Sequence, residues 1–209
     1  CHAHYDNKVP RHVLDLGEPW LTRINRDHSG ELKEQFDALL QTFRFQPQFE
    51  KHVETFVKSL PDEKYNILHI RNEADAIHHW AKLNNASEDV FRYSYETKYM
   101  EAVRRYIPKE SVNVALTSQV ENNTIIERLK EEGYTIIARP NIPEIGREMN
   151  AIIDLLMGFG CNNTFIGNIN PHTMQGSTFS FVLYNQLKDM GVKCITINMD
   201  NIIEDVHEL

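Results

Sequence analysis

Cysteine is scarce in this chain of 209 residues: Cys1, Cys161 and Cys194 are odd in number and far apart. That excludes a disulfide framework and any Cys-x-x-Cys zinc or redox site. No run approaches the roughly 18 consecutive apolar residues that a membrane-spanning helix needs. Glycine and proline are few, 9 and 8, and with 41% apolar and 25% charged residues the composition excludes collagen-like and low-complexity chains. There is no Gly-x-Gly-x-x-Gly fingerprint, no Walker Gly-Lys-Ser/Thr and no Asp-x-Asp pair. Positive charge is short as well. Lys and Arg number 22 against 30 Asp and Glu, and the net charge of −8 is scattered, so the field of the protein repels a nucleic-acid backbone. The start, Cys1-His2-Ala3-His4-Tyr5-Asp6, has neither an initiator Met nor a signal-peptide pattern and suggests a processed or trimmed product.

What is present is an alternation. Five short β-rich runs are predicted as strands: Tyr65 to Ile70, Val112 to Leu116, Tyr134 to Ala138, Thr164 to Gly167 and Val192 to Ile197. Between them lie helical stripes. Tyr95, Tyr99, Ala102, Val103 and Tyr106 share one face, and Ile125, Ile126 and Leu129 another, stopped by Gly133. Met149, Ile152, Ile153, Leu156 and Met157 form a third stripe, and Phe179, Val182, Leu183, Leu187 and Met190 a fourth, ended by Gly191. Regular β–α alternation predicts an α/β fold, a doubly wound parallel sheet of Rossmann-like type with helices on both faces. The beginning differs. Leu32, Phe36, Leu39, Leu40 and Phe43 predict one amphipathic helix, and Phe49, Val53, Phe56, Val57 and Leu60 a second, opened by Pro47. Residues 1–60 are therefore expected to form an irregular lead-in and a helical segment, and residues 61–209 the Rossmann-like domain.

In such a sheet ligands bind at the carboxyl ends of the strands. The residues there are Arg71, Thr117-Ser118, Arg139-Pro140, Asn168 and Asn198. Arg71 directly follows an apolar run, which sets a permanently charged, five-donor guanidinium at the crevice mouth. Such a group suits a phosphate, or else an ion pair with Glu73 or Asp75. A second feature is the loop from Gly167 to Ser180, which leaves a strand and opens a helix. Its free N–H groups and dipole, with the hydroxyls of Ser177, Thr178 and Ser180, make an anion cradle. Alternatively Ser177 or Thr178 is simply an N-cap.

His69-Ile70-Arg71 at a strand end, Asp154 on a later helix, the strand Phe165-Ile166-Gly167-Asn168, and Gly176-Ser177-Thr178-Phe179-Ser180 at a helix start stand in one order. In that order they resemble the donor-binding domain of the fucosyltransferase-like glycosyltransferases, the group of the protein O-fucosyltransferases and α1,6-fucosyltransferases. The region Ser94 to Met100 is also similar to a helix of the α1,6 enzymes, and the resemblance spans roughly Phe45 to Asn198. It implies a GT-B fold and an inverting transfer of a sugar, fucose from GDP-fucose, to a hydroxyl of a glycan or protein. It further implies that His69, Arg71, Ser177, Thr178, Phe179 and Ser180 hold the donor and that Asp154 contacts or orients its nucleotide end. Donors preorganised toward the departing diphosphate would carry the catalysis, with no metal or other cofactor, and the location would be a secretory lumen. The amino-terminal Rossmann domain of that family has no counterpart in the first 60 residues. Either the chain is the carboxyl-terminal part of a longer enzyme, or the helical segment closes the site.

An inverting transfer needs a base, and the loop from Asn72 to Asn85 offers Glu73, Asp75, His78 and His79. Glu73 and Asp75 are the expected catalytic partners of Arg71; His78 and His79 fit a solvated face beside Trp80. Arg139 either reaches the nucleotide or a second phosphate, or is a surface cation. A UDP-sugar donor and a non-catalytic sugar-nucleotide-binding module are the alternatives. His2, His4, Asp6 and His12 have metal-like spacing without a stiffening pattern. Tyr93, Tyr95, Tyr99 and Tyr106 are expected to pack, and Cys161 and Cys194 to be buried thiols. Three glycosylation triplets begin at Asn85, Asn122 and Asn162, and the last runs into a predicted strand.

Overall fold

The computed structural model describes residues 45–173 and 175–200, Ile202, and positions 29–31, 34, 35 and 38. The chain divides into two compact units, residues 1–44 and 45–209. In the first, Ser29 opens a helical turn: its Oγ accepts from the Glu31 N–H at 3.2 Å, and the Glu34 N–H donates to the Gly30 carbonyl at 3.0 Å. The amphipathic stripe of Leu32 to Phe43 and the His2, His4, Asp6 and His12 cluster lie outside the described residues.

The second unit is a five-stranded, wholly parallel sheet with helices on both faces. In chain order its elements are α1 (Pro47–Lys58), β1 (Tyr65–His69), α2 (Ala74–Leu83), α3 (Glu88–Tyr106), β2 (Val112–Leu116), α4 (Thr124–Glu131), β3 (Thr135–Ala138), α5 (Arg147–Phe159), β4 (Thr164–Gly167), α6 (Thr178–Asp189) and β5 (Lys193–Thr196). The strands stand in the order β3-β2-β1-β4-β5. Leu68 sits in register with Ala115 on one side and Ile166 on the other. The two core strands β1 and β2 are buried along their whole length, which is why they read as nearly unbroken apolar runs rather than alternating ones.

Alternate side chains divide the core. Leu68, Ile70, Ala115, Ile136 and Ile166 pack under α2, α3 and α4, whereas Tyr65, Ile67, Val114, Leu116 and Phe165 pack under α1, α5 and α6. The chain therefore changes face between β3 and β4, and β1 and β4 are neighbours at the reversal of strand order. The two polar residues in the apolar runs are satisfied sideways. Asn66 Nδ2 donates to Asn113 Oδ1 at 2.9 Å, Asn66 Oδ1 accepts from the Thr164 N–H at 3.1 Å, and Asn113 Nδ2 donates to the Thr135 carbonyl at 3.0 Å. Four strands are thus stitched at their amino ends.

Several local expectations are corrected. The segment from Asn72 to Asn85 is not a loop: Ala74–Leu83 is helical, and Ala76, Ile77, Trp80 and Ala81 are buried. Their spacing is a short helical face, obscured in the sequence by Asp75, His78, His79 and Lys82. Tyr93 is 67% exposed, while Tyr95 and Tyr99 are fully buried; two positions along a helix, Tyr93 faces away from them. Met149 and Met190 are exposed at the ends of their stripes. Helix α1, grouped by sequence with the amino-terminal segment, instead belongs to the sheet's own unit, with Phe49 buried in the core layer it shares with α5 and α6. Cys161 is buried and Cys194 half-buried, both free thiols. Burial pushes the Cys194 thiol up to about 11 and the Cys161 thiol in the same direction.

Candidate functional site

A hollow of about 640 Å³ opens at the carboxyl ends of the strands, bounded among others by His69, Arg71, Glu73, Asp154, Ser177 and Phe179. A second hollow of about 540 Å³ adjoins it and shares Arg71, Asp75, Ser177 and Phe179. Arg71 and the start of α6 come together because β1 and β4 are adjacent, and the crevice beside a strand-order reversal is where open α/β sheets bind ligands.

Arg71 is held at both ends. Its backbone N–H donates to Tyr95 Oη at 3.1 Å, and Tyr95 Oη donates to Asn168 Oδ1 at 2.9 Å. Asn168 Nδ2 donates to the His69 carbonyl at 2.8 Å, and Tyr99 Oη donates to the same carbonyl at 3.1 Å. Two tyrosines on successive turns of α3 thereby lock the exits of β1 and β4 together. Burial raises both phenols well above the usual range, so they stay protonated and keep donating. At its other end the guanidinium lies 3.3 Å from Asp75 Oδ2 and 3.6 Å from Glu73 Oε2. The Asp75 side chain is 72% exposed, so that pair holds Arg71 weakly. Remaining donors of the five-donor fork are left for a ligand.

Glu73 is the N-cap residue of α2 without capping through its side chain. Its Oε1 accepts a very short hydrogen bond from Ser118 Oγ, and its Oε2 is buried with no hydrogen-bond partner. That oxygen lies 3.6 Å from the Arg71 guanidinium, so Ser118 and Arg71 hold the carboxylate from its two sides.

The α6 end has two open hydroxyls, Ser177 and Thr178, and one closed one, Ser180. Ser177 is the N-cap but makes no side-chain cap bond. Its N–H is spent on the Asn168 carbonyl at 2.8 Å, which folds the loop back as the bridge Ile169 to Gly176. Gly176 sits at φ +136, and a Cβ there would collide with the Asn168 carbonyl oxygen and lie 2.7 Å from Ile169 Cα. Only glycine allows this close return. Thr178 is exposed and borders only the second hollow. Ser180 is fully buried. Its Oγ lies 2.6 Å from His69 Nδ1 and accepts from the Asn168 N–H at 2.8 Å, so its hydroxyl does not reach the hollow. The His69 ring packs against Phe179 with centroids 4.9 Å apart. Burial, aided by Arg71, pushes His69 down to about 3, and it is neutral.

Asp154 borders the hollow and is held there by Arg139. Arg139 is buried, and its Nε donates to Asp154 Oδ1 at 2.8 Å. Its two Nη groups donate to the Pro140 carbonyl and to Asn150 Oδ1 and carbonyl at 2.9 to 3.0 Å. All three guanidinium nitrogens thus face protein acceptors, and Arg139 is neither a ligand reaching a nucleotide or second phosphate nor a surface cation. Burial raises Asp154 more than Arg139 lowers it. Asn150, through the Ile142, Ile145 and Gly146 carbonyls, folds residues 139–146 into the hollow's rim.

Sequence reasoning passed over Arg147. It is the first residue of α5, exposed on the hollow, and makes no ion pair among the described residues. A search of strand ends could not find it, because it follows a loop. His78 Nδ1 is 2.8 Å from Glu88 Oε1 at the surface, and His79 stands edge-on to Trp80 beside the second hollow. The amide of Asn162 is used structurally: it donates to the Glu63 carbonyl at 3.0 Å and accepts from the Tyr65 N–H at 3.1 Å.

Among the described residues no group of three or more His, Cys, Asp or Glu can hold a metal ion. No described helix is long and apolar enough to cross a membrane. Set beside known proteins, the chain matches no protein-family model and no curated protein.

Proposed function

We propose that the hollow holds the diphosphate of a nucleotide-sugar donor, and that the protein is an inverting glycosyltransferase of the fucosyltransferase-like GT-B type acting on a glycan or protein hydroxyl. One observation supports this most: Arg71 and Ser177, more than a hundred positions apart in the chain, border the same hollow at the strand-order reversal. In this reading Arg71 and the amino end of α6 face the diphosphate, which gains charge as its bond to the anomeric carbon breaks. The acceptor oxygen bonds to that carbon from the opposite side, and its proton passes to a carboxylate. Glu73 and Asp75 are the carboxylates at this wall of the hollow, and both lie beside Arg71. His69 and Phe179 line the donor's path, and Asp154, fixed by Arg139, meets its nucleotide end.

The test is titration of the full chain with GDP and with UDP, followed by calorimetry, and repeated with Arg71→Ala. Loss of charge-assisted hydrogen bonds should weaken the better nucleotide by roughly 10- to 100-fold. Binding of neither nucleotide, or equal binding by the variant, refutes the assignment. A sugar-nucleotide-binding module without transfer is the second reading, since Asp75 is paired with Arg71 and Glu73 with both Arg71 and Ser118. It is chosen if nucleotide binds but neither hydrolysis nor transfer of the donor sugar is seen.

A further inference from the structure

Ser180 stands among the anion-binding hydroxyls in the sequence, yet it is fully buried and turned inward. A hydroxyl carries one proton to donate and two lone pairs. One lone pair takes the Asn168 N–H at 2.8 Å. For the proton, the described residues offer a single acceptor, His69 Nδ1 at 2.6 Å. Were Nδ1 protonated, two donors would face each other and the Ser180 proton would be left buried without a partner, a penalty comparable to a lost hydrogen bond. A flipped ring would set a carbon against Ser180 and cost the same. The contact with Phe179 at 4.9 Å packs the ring in place.

Among the described residues the other ring nitrogen has no hydrogen-bond partner, and it is not among their buried unsatisfied polar atoms, which are Glu73 Oε2 and Asp200 Oδ1. It therefore reaches open space, and the cavity His69 borders is the larger hollow. We infer that Ser180 is a positioning residue that fixes His69 as the Nε2–H tautomer and aims a neutral N–H donor into the hollow. The charged groups around that donor are Arg71 at the same strand end and Glu73, Asp75, Arg147 and Asp154 on the walls. A neutral donor beside Arg71 adds a hydrogen bond for an anionic oxygen without adding charge repulsion, and it does not switch off when pH rises through the ordinary histidine range. Its role toward a diphosphate rests on the donor-site reading above; the tautomer does not.

The experiment uses uniformly ¹⁵N-labelled full chain and long-range ¹H–¹⁵N correlation of the imidazoles at neutral pH, with His69→Gln assigning the signal. The expected pattern is Nε2 protonated and Nδ1 unprotonated. Ser180→Ala should lose that preference and weaken inorganic pyrophosphate about fivefold, the weight of one neutral hydrogen bond, with its circular dichroism intact. A wild-type spectrum with Nδ1 protonated, alone or together with Nε2, overturns the inference and needs no variant to fold. If the Nε2–H pattern is found but pyrophosphate, GDP and UDP all fail to bind, the tautomer assignment stands and the donor-site reading falls.

Discussion

Removing one oxygen atom tests whether the α3 tyrosines hold the site. Tyr95→Phe keeps the ring and its packing but deletes an oxygen that receives the Arg71 N–H at 3.1 Å and donates to Asn168 Oδ1 at 2.9 Å. Both partners are then unpaired, and Asn168 is fully buried, so water cannot replace the phenol there. A buried group left unsatisfied costs about 1–3 kcal/mol, and the half-exposed Arg71 end less, giving roughly 2–3 kcal/mol together. For a domain of this size that is a fall in Tm of about 5–10 °C. Tyr99→Phe is the internal control. Its hydroxyl is one of two donors to the His69 carbonyl, which keeps Asn168 Nδ2 at 2.8 Å; the expected loss is about 1 kcal/mol. Urea unfolding of both variants measures the difference. Nucleotide titration adds a second readout, because only Tyr95 touches the Arg71 backbone and only Tyr95→Phe should weaken binding more than twofold. Equal destabilisation by the two variants, or a loss below about 1 kcal/mol for Tyr95→Phe, refutes the idea that this oxygen joins the two strand ends.

Three further outcomes are expected. Gly176→Ala must move the backbone of Asn168 and Ile169 and should cost about 3 kcal/mol or more; a melting temperature like the parent's would show that the loop return does not depend on glycine. Asp154→Ala strands the buried Arg139 guanidinium and should destabilise by about 3–5 kcal/mol, whereas Arg139→Met with Asp154→Leu together should recover most of it, as a double-mutant cycle in urea will show. His69, held neutral down to about pH 3 in the folded chain, takes up a proton near 6.5 when unfolded. Its contribution is therefore full above that point and lost as pH falls toward 3, at about 1.4 kcal/mol per pH unit. His69→Gln should flatten that part of the stability–pH curve, and an unchanged slope would place the proton elsewhere.

Much of this was legible in residue order. The five strands lie within a residue or two of the segments marked by β-branched runs, since both faces of a parallel sheet are buried and leave a plain apolar signature. The strand ends then direct attention to Arg71 and to the turn at Ser177. Helix α2 was hidden because ten residues with four buried positions give a stripe too short to stand out against His78, His79 and Lys82.

Sequence alone determined where the strands lie and which strand ends carry donors, because burial imposes periods and apolar runs that are local to each segment. Only the tertiary structure decided which polar groups meet. The order β3-β2-β1-β4-β5 sets His69 beside Ser180 and Tyr95 beside Asn168, and the buried pairing of Arg139 with Asp154 is likewise formed across the fold. These contacts span 15 to 111 positions, and hydrogen bonding across such separations leaves no periodic mark. A hydroxyl that opens on the hollow, as at Ser177, and one buried against His69, as at Ser180, are the same letter in the chain; their difference is the direction each faces once β1 and β4 lie side by side.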